Sequence, residues 1–108
     1  MKTLIVSLAA VFLAGSAFLV SAADDEAAES LMKKSGCFKC HSVDKKKDGP
    51  AYKDVAAKYK NDSEAAAKLT LKVRGGGSGS FGSTPMLATP KSVSDDTIKT
   101  IVAWILTL

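Results

Sequence analysis

The stretch Cys37-Phe38-Lys39-Cys40-His41 decides the fold of this chain. Two thiols three positions apart, followed at once by an imidazole, form the attachment signature of a c-type haem. The spacing suits this chemistry because one helical turn brings both sulfurs to the same edge of a porphyrin, where each can form a thioether with a vinyl group. The chain contains no other cysteine or histidine, so the motif has no competitor for covalent attachment or for the histidine ligand of the iron.

Three other chemistries could use the same side chains. A thioredoxin-like redox pair belongs beside a strand-helix-strand pattern, and no alternating strand pattern occurs in this sequence. A zinc site normally has four nitrogen or sulfur ligands, whereas the chain offers two sulfurs and one imidazole. A disulfide between Cys37 and Cys40 would suit an oxidising compartment, but it would leave the adjacent His41 unexplained. Covalent haem is therefore the favoured interpretation.

The beginning of the 108-residue chain has the composition of a secretory signal peptide. A lysine at the second position precedes an almost wholly apolar run at 4–20, and small side chains acceptable to signal peptidase follow. We expect cleavage of residues 1–23, after Ala22 or Ala23, and a periplasmic location. An uncleaved membrane anchor is the alternative, because the apolar run approaches a length that spans a bilayer.

The mature domain at 24–108 is small and modestly basic. The signal segment contains one basic and no acidic side chain, so the other 85 residues carry 14 of the 15 basic and all 11 acidic side chains. A domain of this size buries only about 60% of its unfolded surface and is marginally stable. Covalent haem would supply the missing apolar core. No aromatic-rich basic motif accompanies the positive charge, so nucleic acid is not an expected partner.

Hydrophobic periodicity predicts about four helices. The acids at 24–26 open the first helix and Gly36 ends it, while Asn61 and Glu64 resemble a capping box for the third. Ser94 is the expected N-cap of the last helix. The predicted apolar faces are, in chain order, Ala27, Ala28, Leu31 and Met32; Tyr52, Val55, Ala56 and Tyr59; Ala66, Leu69 and Val73; and Ile98, Ile101, Val102, Ile105 and Leu108, with Trp104 alongside.

The first and last helices are expected to cross. In this arrangement Leu31 and Met32 pack against Trp104 and Ile105, and Trp104 is a core residue rather than a ligand-stacking one. The sequence therefore predicts an all-α domain around one haem.

Met86 is the predicted sixth ligand of the iron. It lies in the irregular stretch 75–90 directly after a Thr-Pro pair, so a stiff turn rather than helix packing would aim its side chain. A loop of this length in so small a domain is usually functional or disordered. Met32, in contrast, falls on a helical apolar face. Lys72, Lys91 or an open site with water remain the alternatives.

His41 should donate its second ring N–H to a backbone carbonyl, which fixes the orientation of the ring and makes it a better ligand. Pro50 is the candidate acceptor, because the proline ring stiffens the loop at that point. The alternative is that Gly49-Pro50 is only a turn before a helix.

A histidine and thioether pair predicts an electron carrier. Thioether sulfur favours ferrous iron, and with both axial positions filled the site passes single electrons without turning over a substrate, so an enzyme is not expected. If Met86 does not bind, an open sixth position would predict a haem sensor or a peroxidase-like site instead. A haemless thiol oxidoreductase is a third class.

The chain resembles class I c-type cytochromes of the small bacterial cytochrome c-551/c-552 type from about Glu29 to Ile105. The stretches that carry the resemblance are Cys37-Phe38-Lys39-Cys40-His41, Gly49-Pro50-Ala51-Tyr52-Lys53-Asp54-Val55-Ala56, Gly82-Ser83-Thr84-Pro85-Met86 and Val93-Ser94-Asp95-Asp96 with Trp104. The resemblance implies an all-α fold with crossed first and last helices, a Pro50 carbonyl that holds His41, Met86 as sixth ligand, and electron transfer in the periplasm.

Three residues depart from the pattern of that family. Phe81 stands where the family often has a tryptophan that donates to a haem propionate. Lys72 corresponds to an arginine common near the same propionate, and it is expected to act there as a looser point charge. Leu87 stands where a proline often follows the ligand methionine. The segment from Met86 to Ser94 is also about two residues longer, so we expect a less stiff methionine loop.

Eight lysines lie in the half of the chain around the motif. They are Lys33, Lys34, Lys39, Lys45, Lys46, Lys47, Lys53 and Lys58. Lysines form solvated surface by default, but this concentration favours a positive rim that steers acidic redox proteins to a monomeric carrier. Such contacts are small and transient, and the sequence identifies neither the donor nor the acceptor.

Overall fold

The computed structural model of the protein describes residues 22–108 as an all-α domain. Its helices are α1 (Ala22–Lys34), α2 (Tyr52–Lys58), α3 (Ala65–Gly75) and α4 (Asp95–Ile105), with a short 3₁₀ turn at Cys37–Lys39 after α1. The fold class expected from the sequence, with about four helices, is confirmed.

Residues 1–21 lie outside the part of the chain that the structure describes, and they include most of the expected signal peptide. Cleavage after Ala22 or Ala23 therefore stays a prediction. Among the helices of residues 22–108, none combines the length and the apolar character needed to cross a bilayer.

Helix α4 lies at the centre of the hydrophobic core and packs against α1, α2 and α3. Its buried side chains are Ile98, Ile101, Val102, Trp104 and Ile105. From α1, Ala28 and the fully buried Met32 join the same core, and Leu31 packs against it while partly exposed. The predicted packing of the first helix against the last is thus confirmed.

Two polar contacts fix the ends of α4. The Ser94 hydroxyl accepts a hydrogen bond from the Thr97 amide at 3.1 Å, which confirms Ser94 as the N-cap. Near the other end, Trp104 Nε1 donates to Asp25 Oδ1 at 2.7 Å. This bond gives the polar N–H of a buried ring its acceptor. Since Asp25 lies at the start of α1, the same bond joins the first turn of α1 to the last turn of α4.

The start of α3 differs from the prediction. The expected capping box between Asn61 and Glu64 is wrong, because the N-cap is Glu64 and it makes no side-chain capping hydrogen bond. Asp62 lies in the turn before the helix, where its Oδ1 accepts from the Glu64 amide at 2.9 Å and its Oδ2 from Lys68 Nζ at 2.7 Å. The helix accordingly begins at Ala65. The Lys68 hydrogen bond is the main cause that lowers the pKa of the Asp62 carboxyl below its ordinary value.

The predicted apolar faces were wrong at three small or terminal residues. Ala65 is buried and Ala66 is exposed, and Ala27 is exposed beside the buried Ala28. In both helices the buried alanine lies four residues before a large buried side chain, which is Met32 in α1 and Leu69 in α3. Leu108 lies beyond the end of α4 and is 38% exposed.

Candidate functional site

The 3₁₀ turn after α1 presents the two thiols. Gly36 ends α1 in the left-handed region at φ 79°, a conformation that glycine adopts without steric cost, and so turns the chain into the motif. The Cys37 carbonyl then accepts from the amides of Cys40 at 3.3 Å and His41 at 3.1 Å. One turn therefore holds both cysteines and the histidine together, and both thiols are free.

The environment of Cys37 does not favour thiol redox chemistry. Burial raises the pKa of Cys37, and a hydrogen bond with Tyr52 offsets only part of that rise. Since the thiolate is both the nucleophile and the metal ligand, the raised pKa makes Cys37 a poor nucleophile. Residues 22–108, which hold every cysteine and histidine of the chain, form no cluster of three or more metal-binding side chains.

The His41 ring is held on several sides. Its Nδ1 lies 2.8 Å from the Pro50 carbonyl oxygen, which can only accept, so Nδ1 carries the proton and Nε2 keeps a free lone pair. The ring also stacks on Tyr52, with centroids 4.8 Å apart and planes 23° apart. A Cβ at Gly49 would lie only 2.5 Å from His41 Cε1. These contacts leave the ring one orientation, with one nitrogen available to a metal.

The loop that follows the motif folds back onto it through backbone hydrogen bonds. The Gly49 amide donates to the Cys40 carbonyl at 2.8 Å, and the Tyr52 amide donates to the Ser42 carbonyl at 2.9 Å. Pro50 has no N–H that would need a partner, and its carbonyl accepts from the imidazole. Helix α2 begins two residues later. The loop thereby attaches α2 to the motif.

Met86 lies in the methionine loop, which we define as residues 76–94 between α3 and α4. An isolated antiparallel bridge joins it to Gly77: the Gly77 amide donates to the Met86 carbonyl at 2.9 Å, and the Met86 amide donates to the Gly77 carbonyl at 2.8 Å. Gly76, at φ 70°, allows this approach, because a Cβ there would lie 2.4 Å from the Met86 carbonyl oxygen. The main chain of Met86 is therefore fixed to the end of α3, and its side chain is half-buried.

Lys72 lies beside this bridge. Its Nζ is 3.4 Å from the point where a Cβ on Gly77 would lie. The salt bridges among residues 22–108 involve Lys53, Lys68 and Arg74 and leave the Lys72 ammonium unpaired. A positive charge without an ionic partner thus lies at the start of the methionine loop.

Phe81 lies further along the methionine loop and is 38% exposed. Lys58, at the end of α2, holds this part of the loop: its Nζ lies 4.5 Å from the centroid of the Phe81 ring and donates to the Ser80 carbonyl. A cation over an aromatic face is attractive even at an exposed site. The contact ties the loop to the helix that follows the haem motif.

A cleft of about 360 Å³ separates the segment around Pro50 from the methionine loop. Its lining residues are Lys46, Asp48, Pro50, Asp54, Phe81, Gly82, Ser83 and Thr84. The volume falls in the range of about 300–1,000 Å³ typical of small-molecule sites. Two free thiols on one turn and an imidazole with one free nitrogen fit a covalently attached haem, and Pro50, whose carbonyl holds that imidazole, also lines the cleft. The sequence signal for the haem motif was sufficient, whereas no side-chain pattern indicated the backbone bridge that fixes Met86.

Known proteins are similar to this chain in sequence and in fold. Residues 26–108 match the model of the family described as "Cytochrome c". Cytochrome c-552 of Nitrosomonas europaea is 46% identical over 95 residues, which cover 88% of this chain and 90% of the relative. Cytochrome c-551 of Allochromatium vinosum is 50% identical over 78 residues, which cover 72% and 82%. The crystal structure of wild-type Nitrosomonas europaea cytochrome c552 superposes with a TM-score of 0.70 at 46% identity, covering 74% of this chain and 98% of that chain.

Proposed function

Because this chain belongs to the cytochrome c family and carries electrons on one covalently attached haem c, we propose that it is a periplasmic one-electron carrier whose iron is bound by His41 and Met86. When bound, the haem supplies the ferrous/ferric couple. Cys37 and Cys40 hold it through thioethers. The observation that carries the proposal is the single orientation of the His41 ring, which leaves only Nε2 free.

The residues on the histidine side make the imidazole a stronger ligand. The hydrogen bond from His41 Nδ1 to the Pro50 carbonyl fixes the tautomer and raises the basicity of Nε2. Gly49 and Tyr52 restrict the ring from two sides. The ring therefore needs little reorganisation when the oxidation state of the iron changes, which favours electron transfer without bond rearrangement.

The residues on the methionine side support Met86 as the sixth ligand. Its main chain is fixed by the Gly77 bridge rather than free in solvent, and its thioether would favour ferrous iron. A filled sixth position leaves no place for a substrate, so we infer that the protein turns none over.

The axial ligation is tested on purified, exported protein. The mass of the mature chain should show a start at Ala23 or Asp24 together with one attached haem, and a low-spin ferrous spectrum should be unchanged by carbon monoxide. A mass that retains residues 1–22 would contradict the cleaved signal. Rapid carbon monoxide binding would contradict Met86 ligation and favour the sensor or peroxidase-like alternative.

We infer that Lys72 acts as a point charge toward a haem propionate. Its lack of an ionic partner in the described part of the chain and its place beside the Gly77 bridge support this role. A nearby positive charge stabilises the reduced state, so Lys72→Gln should lower the reduction potential in a potentiometric titration. Lys68→Gln, on the same helix and paired with Asp62, is the control. Equal potentials for both variants would contradict the role of Lys72.

The lysines around the motif are proposed to steer redox partners. All eight are exposed, and three of them are engaged: Lys47 donates to the Phe38 carbonyl, Lys53 pairs with Asp44, and Lys58 contacts the methionine loop. The remaining five are Lys33, Lys34, Lys39, Lys45 and Lys46, for which the described residues show no ion pair. A concentration of one sign of charge raises encounter rates in a salt-dependent way.

The steering is tested by stopped-flow electron exchange with an acidic redox protein at increasing ionic strength. The rate should fall with added salt, and replacing Lys45 and Lys46 with glutamine should reduce both the rate and its salt dependence. Lys99→Gln removes the same kind of exposed charge from α4, outside the lysine set, and should have a smaller effect. A rate independent of salt would contradict the steering.

A further inference from the structure

Arg74, near the end of α3, fastens the far end of the methionine loop. Its Nε and one terminal nitrogen donate to Asp95 Oδ1 at 3.0 and 2.8 Å, and that nitrogen also donates to the Val93 carbonyl at 2.6 Å. The other terminal nitrogen lies 3.3 Å from the Pro90 carbonyl oxygen and 3.4 Å from that of Thr89. One guanidinium thus joins α3, the end of the methionine loop and the first turn of α4.

The segment that Arg74 holds begins close to Met86. Thr89, three residues after Met86, donates from its amide and its hydroxyl to the Val73 carbonyl at 3.2 and 2.7 Å. Between them Leu87 is 81% exposed and Ala88 is also exposed, so apolar packing does not hold this part of the chain. The polar contacts of residues 89–93 are therefore the main restraint on the loop after Met86.

A lysine could not make the same set of contacts. The guanidinium is a planar fork with five N–H donors, and here all three of its nitrogens are used. An ammonium is a compact point charge, so it could keep the ion pair with Asp95 but not the carbonyl contacts on both sides. With its side chain 29% exposed, Arg74 is shielded enough for these charge-assisted bonds to matter.

We propose that Arg74 is a positioning residue that controls how often Met86 leaves the sixth position, an inference that rests on the proposed ligation by Met86. Arg74 keeps residues 89–93 on α3, so the chain from Met86 to the next fixed residue is three residues long. If this contact is lost and Thr89 is released as well, the next fixed residue is Val93, which packs against the hydrophobic core seven residues after Met86. The entropic cost of closing a loop of n residues grows as (3/2)RT ln n, so lengthening the free segment from three to seven residues raises the population of the open state about 3.5-fold.

The experiment uses the haem-loaded protein with Arg74→Lys. Two readouts are measured: the rate at which imidazole replaces the sixth ligand in the ferric protein, and hydrogen exchange at the Met86 and Gly77 amides. Both should rise about 3.5-fold. Asp95→Asn keeps the three backbone carbonyls that accept from Arg74, so both rates should rise by less than in Arg74→Lys. This second variant tests the proposal even if Arg74→Lys folds poorly.

Lys68→Gln is the matched control, because it removes an ion pair of the same helix that contacts Asp62 and not the methionine loop. It should leave both readouts at the parent values. Unchanged exchange at Met86 and Gly77 in Arg74→Lys would overturn the proposal. Faster exchange without faster imidazole binding would also overturn it, because Arg74 would then hold the loop without controlling the ligand. Failure of Met86 ligation has a different signature, since the reduced parent would itself bind carbon monoxide rapidly.

Discussion

A methyl group at position 49 should displace the His41 ring. In the structure a Cβ on Gly49 would lie 2.5 Å from Cε1, 2.8 Å from Nδ1 and 3.0 Å from Nε2 of that ring. Non-bonded carbon atoms are in favourable contact at about 3.5–4.0 Å, so Gly49→Ala brings two carbons about 1 Å too close. Because Tyr52 stacks on the ring, His41 can give way only by leaving the Pro50 carbonyl.

The cost of this displacement follows from its two parts. Inserting a methyl group into a packed site typically costs about 1–3 kcal/mol, and losing the net contribution of the His41–Pro50 hydrogen bond costs about 0.5–1.5 kcal/mol. Gly49→Ala should therefore lower the free energy of unfolding by about 1.5–4.5 kcal/mol. Urea unfolding of the haem-loaded protein, followed by circular dichroism and by the haem spectrum, measures this loss, and the slope of the transition should be unchanged.

Gly75→Ala is the matched control for Gly49→Ala. A Cβ on Gly75 would meet nothing within 4 Å, and the residue is the last of α3, so alanine should be neutral or should stabilise by up to about 1 kcal/mol. If Gly49→Ala and Gly75→Ala unfold at the parent urea concentration with the parent spectrum, the tight packing of His41 against residue 49 is refuted.

Three further changes test the packing of the helices by urea unfolding. Asp25→Ala should cost about 1–3 kcal/mol because it leaves the buried Trp104 N–H without an acceptor; an equal loss in Asp25→Asn, which keeps an acceptor oxygen, would contradict this reason. Ser94→Ala should cost about 1 kcal/mol through the lost N-cap, and no change would mean that the cap is not formed in solution. Asp62→Asn should destabilise at pH 7, because the pKa of this carboxyl is lowered in the folded state, chiefly by Lys68. That contribution to stability is present above the unfolded-state pKa of about 3.9 and is lost as the pH falls through the lower folded-state pKa. A difference in the free energy of unfolding between Asp62→Asn and the parent that persisted at still lower pH would contradict this reason.

The sequence predicts the strongly periodic parts of this fold well. The apolar positions of α4 are large side chains at i, i+3, i+4 and i+7 spacing, so its buried face is unambiguous, and in α2 the large Tyr52 and Val55 identify the buried side. Ser94 followed by two acids similarly identifies the start of α4. The position of α4 in the core follows because its apolar face is wide enough to contact three other helices.

Prediction fails where alanine or small polar residues decide the register. In α3 the sequence alone does not distinguish Ala65 from Ala66, because a methyl group contributes little apolar area on either side of the helix. Asn61 and Asp62 both have side chains suited to a helix start, but α3 begins after Glu64, and Asp62 instead pairs with the ammonium of Lys68. Contacts in the folded chain decide such positions, and the neighbouring sequence indicates little about them.

The histidine side of the site is predictable from the sequence, and the methionine side is not. The contact of His41 with Pro50 is predictable because a ligand imidazole needs an acceptor and the nearby proline fixes a carbonyl. The bridge between Gly77 and Met86 uses backbone groups that every residue carries, so it leaves no distinctive side-chain pattern. Arg74 looks from the sequence like an ordinary basic residue at a helix C-terminus, and only the folded loop reveals its acceptors.

The spectra of Met86→Ala beside the parent test most directly whether iron is held between an imidazole and a thioether. Met32→Leu, a volume-conserving change of the fully buried methionine, is the control for loss of a sulfur elsewhere. Our account predicts that Met86→Ala loses the low-spin spectrum and binds carbon monoxide when reduced, while the parent and Met32→Leu stay low-spin and do not bind it. A Met86→Ala protein with the spectrum of the parent and no carbon monoxide binding would contradict the account.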